Sequence, residues 1–357
     1  MKTKLTIEKI IIILTVAFCL IAIGMVLYLL LRQSNKYGEF SELKYYDGNT
    51  KIIDVYADNG RMVIVCENGE AYISGKSEET KSLLFDCSYG TGLNFNMMQV
   101  PKVDIPKKAF DNVSSYSFGF NSGTVIDKDG VLYYFDSFDY RFPTEIYRNV
   151  IKAKPVHRTK IYILKNDNTL ISLDFDGNET VIATDVKDFS LDSRLIYLTN
   201  DNELYEHHAL NNTDVKLFDG VESFDIGINY GIVVQADGKM YVRGDIPVGK
   251  SFDEEEWSLY DENVAEAVYA ECGIAVRYMD SSLKYIGEES IKNKDNLVEI
   301  YLRDDGVKRV IADYGFVIAL TNDGKINIWG KSTSNAFPLS NTENGDFPFS
   351  SAPYVLG

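Results

Sequence analysis

Apolar positions fall in short alternating runs separated by steps rich in Asn, Asp and Gly. The clearest instance is 306–331, G-V-K-R-V-I-A-D-Y-G-F-V-I-A-L-T-N-D-G-K-I-N-I-W-G-K. Its two apolar runs, Phe316 to Leu320 and Lys325 to Trp329, flank Thr321-Asn322-Asp323-Gly324. An Asp-Gly step between strand-like runs predicts a β-hairpin, because a tight turn needs positive φ, which Gly accepts and Asp tolerates.

The same unit recurs upstream. Its turns are Glu67-Asn68-Gly69, Lys128-Asp129-Gly130, Asn166-Asp167-Asn168, Asn200-Asp201-Asn202, Ala236-Asp237-Gly238 and the eroded Asp280-Ser281-Ser282. Each turn lies between two strand-like runs, and most units carry a lead-in such as Gly220-Val221-Glu222-Ser223-Phe224. With the 306–331 copy there are seven units, spaced by roughly 34 to 61 residues. One hairpin alone is marginal in water, but sheets arranged radially bury one another's faces and leave no long open edge. The pattern therefore predicts an all-β chain, a seven-bladed β-propeller over residues 50–357. Closure is preferred to an open solenoid because no polar capping unit is present. Ser351 to Leu356 reads as a lead-in strand without the rest of its unit, and the first unit has a poor lead-in. A C-terminal strand completing the first sheet is the expected latch.

Ahead of the repeats the pattern changes. Ile10 to Leu31 is almost unbroken in apolarity, and at ~1.5 Å per residue it reaches about 30 Å, the hydrocarbon thickness of a bilayer. Lys2, Lys4 and Lys9 precede it, and Arg32 and Lys36 follow. The heavier basic flank is expected to stay in the cytoplasm. The division expected is a cytoplasmic tail over 1–9, a single transmembrane helix over 10–31, a tether over 32–49 and an extracytoplasmic propeller beyond it. Alternatives are a cleaved signal ending near Ala22-Ile23-Gly24, a lipid anchor at Cys19, disfavoured by the bulky Phe18, and a buried soluble helix.

Charge narrows the partners. Thirty-six basic against 53 acidic residues leave -17, which argues against nucleic acid, since a phosphate backbone needs a basic footprint. Twenty-four tyrosines suit a strand-rich chain. Cys66 and Cys272 border apolar runs and are expected in the core. A Cys66–Cys87 disulfide is an open alternative, but a chain this long does not depend on one.

The motif V-x-x-V-x-A-x-x-x-x-x-x-A-L-T-x-D-G-x-I-x-x-W-G, at Val307, Val310, Ala312, Ala319, Leu320, Thr321, Asp323, Gly324, Ile326, Trp329 and Gly330, resembles the regulator of chromosome condensation (RCC1-like) repeat. The fifth unit matches at Asp237, Gly238, Tyr241 and Gly244, and the first at Gly69, Tyr72 and Gly75. The resemblance implies a seven-bladed propeller. Nuclear members of that family use a basic chromatin-binding surface and act on a small GTPase, an activity not carried over to this acidic chain. Bacterial members of the architecture are secreted or surface proteins that bind other proteins.

No catalytic set, metal site or cofactor motif is visible. His207 and His208 are adjacent on an expected strand, so they face opposite ways and chelate poorly, and His157 sits in a linker. The Asp-Gly steps lack calcium-loop spacing, and Gly90-Thr91-Gly92 lacks the Lys and helix of a phosphate loop. The candidates are instead binding residues in insertions. Asp86 to Lys108 carries Tyr89, Phe95, Met97 and Met98; Tyr133 to Phe142 contributes Tyr134, Phe135, Phe138, Tyr140, Arg141 and Phe142; Pro247 to Asp261 adds Trp257 and Tyr260. Aromatics with an Arg are the composition of protein-binding hot spots, although the same rings could simply pack between blades. The expectation is a non-enzymatic, membrane-tethered propeller that binds a protein or cell-envelope partner through a loop face. Alternatives are a polysaccharide lyase or glycosidase with carboxylates at the central channel, and a sensory ectodomain signalling through a membrane partner.

Overall fold

The computed structural model describes residues 46–58, 61–75, 107–119, 122–136, 144–156, 159–192, 194–290, 293–313, 316–330 and 354–356. The expected membrane helix over 10–31 and residues 32–45 of the expected tether lie outside these residues, while Tyr46 is buried in the cluster between the seventh and first sheets. Among the described residues, no helix is long and apolar enough to cross a membrane.

The described strands form seven four-stranded antiparallel sheets, taken in chain order. Their first strands are Ile52–Asp58, Val113–Gly119, Val150–Val156, Val186–Leu191, Val221–Ile226, Val264–Tyr269 and Val307–Asp313. First strands of neighbouring sheets pack together around the axis. The last strands, such as Glu179–Ala183 and Thr213–Phe218, are the most exposed and form the rim.

One backbone device repeats at every junction. The turn residue of one sheet has positive φ and its carbonyl accepts a hydrogen bond from the first amide of the next sheet. The pairs are Val113 to Gly69, Val150 to Gly130, Val186 to Asn168, Val221 to Asn202, Val264 to Gly238 and Val307 to Ser281, at 2.8–3.0 Å. The seventh runs from Ile52 back to Gly324 at 3.2 Å, joining the last sheet to the first. Because the third turn residue must be left-handed, Gly is the usual choice, with Asn and Ser substituting at a modest conformational cost. Asp129, Asp237 and Asp323 themselves do not adopt positive φ. The hairpin turns are longer than the Asp-Gly step itself. They are type I turns closed by a left-handed residue, with a bonded pair outside, as in Thr321 N–H to Lys325 O, 2.9 Å.

Side chains follow the same seven-fold scheme. Alternate positions of a strand face opposite neighbours, so Met62 and Ile64 pack toward the seventh sheet while Val63 and Val65 pack toward the second. Seven apolar clusters result, one per junction. Cys66 lies in the cluster between the seventh and first sheets, and Cys272 is also buried.

The C-terminal strand does not complete the first sheet. Tyr354–Leu356 pairs with Ile326–Ile328 and is the outer strand of the seventh sheet. The first sheet has its own fourth strand, Lys107–Phe110. The physical reason is that each chain segment already supplies four strands in order, so no sheet is short of one. Closure rests instead on the Ile52–Gly324 bond, an ion pair between Arg309 and Asp54, and the apolar cluster containing Ile52, Val55, Tyr72, Phe316 and Ile318.

Candidate binding surface

Up-down connectivity fixes where the insertions leave the ring. The first-to-second and third-to-fourth connections of each sheet lie on one face, and the hairpin turns and sheet-to-sheet links lie on the other. Gly75 and Lys107, Asp136 and Thr144, Gly244 and Ser258, and Gly330 and Tyr354 bound third-to-fourth connections. The three insertions singled out in the sequence therefore depart from a single face.

The candidate residues distribute unevenly. Tyr134 is half-buried on Leu132–Asp136, its ring 4.9 Å from Phe175 of the third sheet. Phe135 is on the same strand. Phe138, Tyr140, Arg141 and Phe142 lie outside the described residues, as do Tyr89, Phe95, Met97, Met98, Cys87 and His157. Trp257 is half-buried between the fourth and fifth sheets, 5.3 Å from Phe218, with the Arg243 guanidinium 4.6 Å above its ring. Tyr260 belongs to the other side of its strand and packs toward the sixth sheet, 5.8 Å from Phe252. Two residues close in sequence thus serve different junctions, because positions an odd number apart on an extended chain point to opposite faces.

Tyr260 also lines an open groove between the outer halves of the fifth and sixth sheets, with a volume of about 740 Å³. Tyr278 donates to Asp261 at 2.7 Å. Burial and then this bond push the Tyr278 hydroxyl well above its ordinary range, and burial lifts Tyr260 to about 12. Lys284 pairs with Glu299 and lies 5.4 Å from the Tyr301 ring, and Lys250 lies 5.6 Å from the Tyr260 ring. Sequence inspection missed the groove because its lining comes from four separate stretches.

Inner-strand carboxylates, the residues an enzyme at the channel would use, are mostly answered by cations. Asp54 meets Arg309, Asp188 meets Lys152 at 2.7 Å, and Glu266 meets Arg277 at 3.1 Å. Asp225 differs. It accepts from the Tyr269 amide at 2.8 Å and the Tyr230 hydroxyl at 3.1 Å. It keeps some accessible surface, but the surrounding protein strips most of its solvation and raises its pKa to about 6, with Asp192 adding to the rise. An unfolded Asp titrates near 3.9. The folded state therefore holds this proton more tightly, and the stabilisation is complete below about pH 4 and lost as pH rises through about 6. Asp225→Asn keeps an acceptor for Tyr269 and removes the buried charge. Urea unfolding should find the variant about 2 kcal/mol more stable than the parent at pH 8 and equal to it near pH 4. A difference independent of pH would contradict this assignment.

His207 is buried, with Nδ1 2.8 Å from Asp214 Oδ1, whereas its neighbour His208 is exposed. Among the described residues, no group of three His, Cys, Asp or Glu side chains is placed to hold a metal ion.

Compared by sequence, the chain matches no protein-family model and no curated protein. Compared by fold, it is similar to Prp20p of Saccharomyces cerevisiae, with TM-score 0.54 and 12% identity over 69% of this chain and 77% of that one. Prp20 is the yeast RCC1, so the resemblance carried by the 306–331 repeat has a structural counterpart. Human WBSCR16 gives TM-score 0.53 and 14% identity over 71% of this chain and 86% of that one. PorZ, a bacterial surface component of the type-IX secretion system of Porphyromonas gingivalis, gives TM-score 0.50 and 17% identity over 83% of this chain but only 39% of that one. At these identities the likeness concerns the fold: an all-β, seven-bladed propeller.

Proposed function

We propose that this chain is a membrane-tethered, extracytoplasmic propeller that binds a protein or cell-envelope partner through the face bearing its third-to-fourth connections. The observation that carries the proposal is topological. The connections at 76–106, 137–143, 245–257 and 331–353 are bounded by strand ends on that one face, and a rigid scaffold displaying variable loops is a common recognition device. The 137–143 connection contains Phe138, Tyr140, Arg141 and Phe142, the residue types of binding hot spots. The apolar run at 10–31 and its basic flank support the tether and its orientation. Similar propellers lend further support: Prp20p has binding properties toward Gsp1p and histones, and PorZ is a surface component. A binding role without catalysis is the reading that follows.

Two measurements test it. Leu210 is fully exposed on the proposed outer face. In Leu210→Cys, a membrane-impermeant maleimide should label intact cells, and labelling only after lysis would refute the location. Phe138→Ala, Tyr140→Ala and Arg141→Ala together should cut recovery of a partner from envelope extracts at least tenfold, with Tm unchanged. Undiminished recovery would remove these residues from the site.

A further inference from the structure

The second position of the third strand is Tyr in four of the seven sheets, and Ile171, Lys284 and Asn327 in the third, sixth and seventh. In the first, second, fourth and fifth sheets it is Tyr72, Tyr133, Tyr205 and Tyr241, each paired in register with the second strand and packed against the preceding sheet. The ring fills the wedge where blades diverge toward the rim. The sixth sheet carries Lys284 at this position, in register with Val276. Lys284 turns to Glu299 and the Tyr301 ring, and the wedge is left as the groove of about 740 Å³.

We propose that this groove binds a neutral, hydroxyl-rich saccharide. Tyr260, Tyr278 and Tyr301 supply ring surface for the apolar face of a sugar, and Tyr301 is 61% exposed. Asp261, Asn263 and Ser282 supply acceptors and donors along the edge. An anionic ligand is disfavoured because four carboxylates, Asp261, Glu262, Asp280 and Glu299, line the groove against two lysines, Lys250 and Lys284, the second of them paired with Glu299; a cationic ligand is the competing outcome that tetralysine tests. The groove lies between the outer halves of two sheets and shares only Lys250 with the third-to-fourth connections, so this proposal does not rest on the preceding one. Loss of loop-face binding in the 138/140/141 variant leaves it untouched.

The test is calorimetric titration of the full-length protein with chitotetraose, cellotetraose and maltotetraose, and with tetralysine and inorganic phosphate as charged probes. At least one tetrasaccharide should bind with a dissociation constant below about 1 mM, a threshold ordinary for a shallow groove. Lys284→Tyr, which restores the wedge-filling ring, should weaken it at least tenfold without lowering Tm. Tyr301→Ala, an exposed substitution that leaves folding intact, should weaken it to a similar extent. The proposal is overturned if none of the three sugars binds, if tetralysine or phosphate binds in their place, or if both variants bind like the parent.

Discussion

Phe316→Ala is expected to lower the unfolding free energy by about 3–5 kcal/mol. Phe316 is 1% exposed and sits in the cluster that joins the seventh sheet to the first. Truncation leaves a cavity among Val55, Ile64, Ile318 and Ile328 that backbone on both sides prevents from collapsing. Phe189→Ala, at 0% exposure between the third and fourth sheets, provides the comparison. Both variants should show a similar fall in urea midpoint, because the closing junction is built like the others. Were the ring open at that point, Phe316 would lie on a solvated sheet face, and its loss would cost about 1 kcal/mol or less.

Gly244→Ala should be comparably damaging, on the order of 3 kcal/mol, for a different reason. Gly244 has φ +75, and an added Cβ would lie 2.1 Å from the Asn229 carbonyl oxygen and 3.0 Å from its carbon. The obstacle is backbone, so no side-chain rotation relieves it. The Gly244 amide donates to Asp253 O at 2.8 Å, and the Asp245 amide to Asn229 O at 2.7 Å. A shift here therefore also unseats the 245–257 connection, which buries Ile246 and packs Trp257. Urea unfolding followed by Trp fluorescence would register both effects. A variant with parental stability and emission would show that this backbone has more room than the geometry allows.

The hairpins were legible because their two strands are apolar and their turns carry Gly or Asn at the left-handed position. The rim strands were not. Glu179–Ala183 and Thr213–Phe218 expose one face and one edge, so they lack the apolar alternation that marks a half-buried strand. The starts of the inner strands carry a sharper signal than the lead-ins as a whole. Asn112-Val113, Asn149-Val150, Asp185-Val186, Gly220-Val221, Asn263-Val264 and Gly306-Val307 each pair a residue at positive φ with a buried Val. The left-handed residue turns the chain from rim to axis, and the Val then donates to the previous turn. The C-terminal strand Tyr354–Leu356 does not latch the first sheet because it is the last strand of its own unit and not the lead-in of another. In the structure each unit is self-contained, and its last strand is its outermost.

Of the candidate site, composition singled out Tyr260 but not its groove. Lys284 stands out only once the third strands are aligned in register, as the one charged residue in a column that otherwise holds Tyr72, Tyr133, Ile171, Tyr205, Tyr241 and Asn327. Trp257 has the composition of a hot spot and a position against Phe218 and Arg243, a packing role the hydrophobic pattern could not separate from exposure.

The account depends on closure of the seventh sheet onto the first, and residue-resolved hydrogen exchange at the Ile52 amide reads that contact. Its acceptor is the carbonyl of Gly324, at the far end of the chain. Protection at Ile52 equal to that of the amides of Val113, Val150, Val186, Val221, Val264 and Val307 is the predicted result. Free exchange at Ile52 while those six remain protected would contradict it.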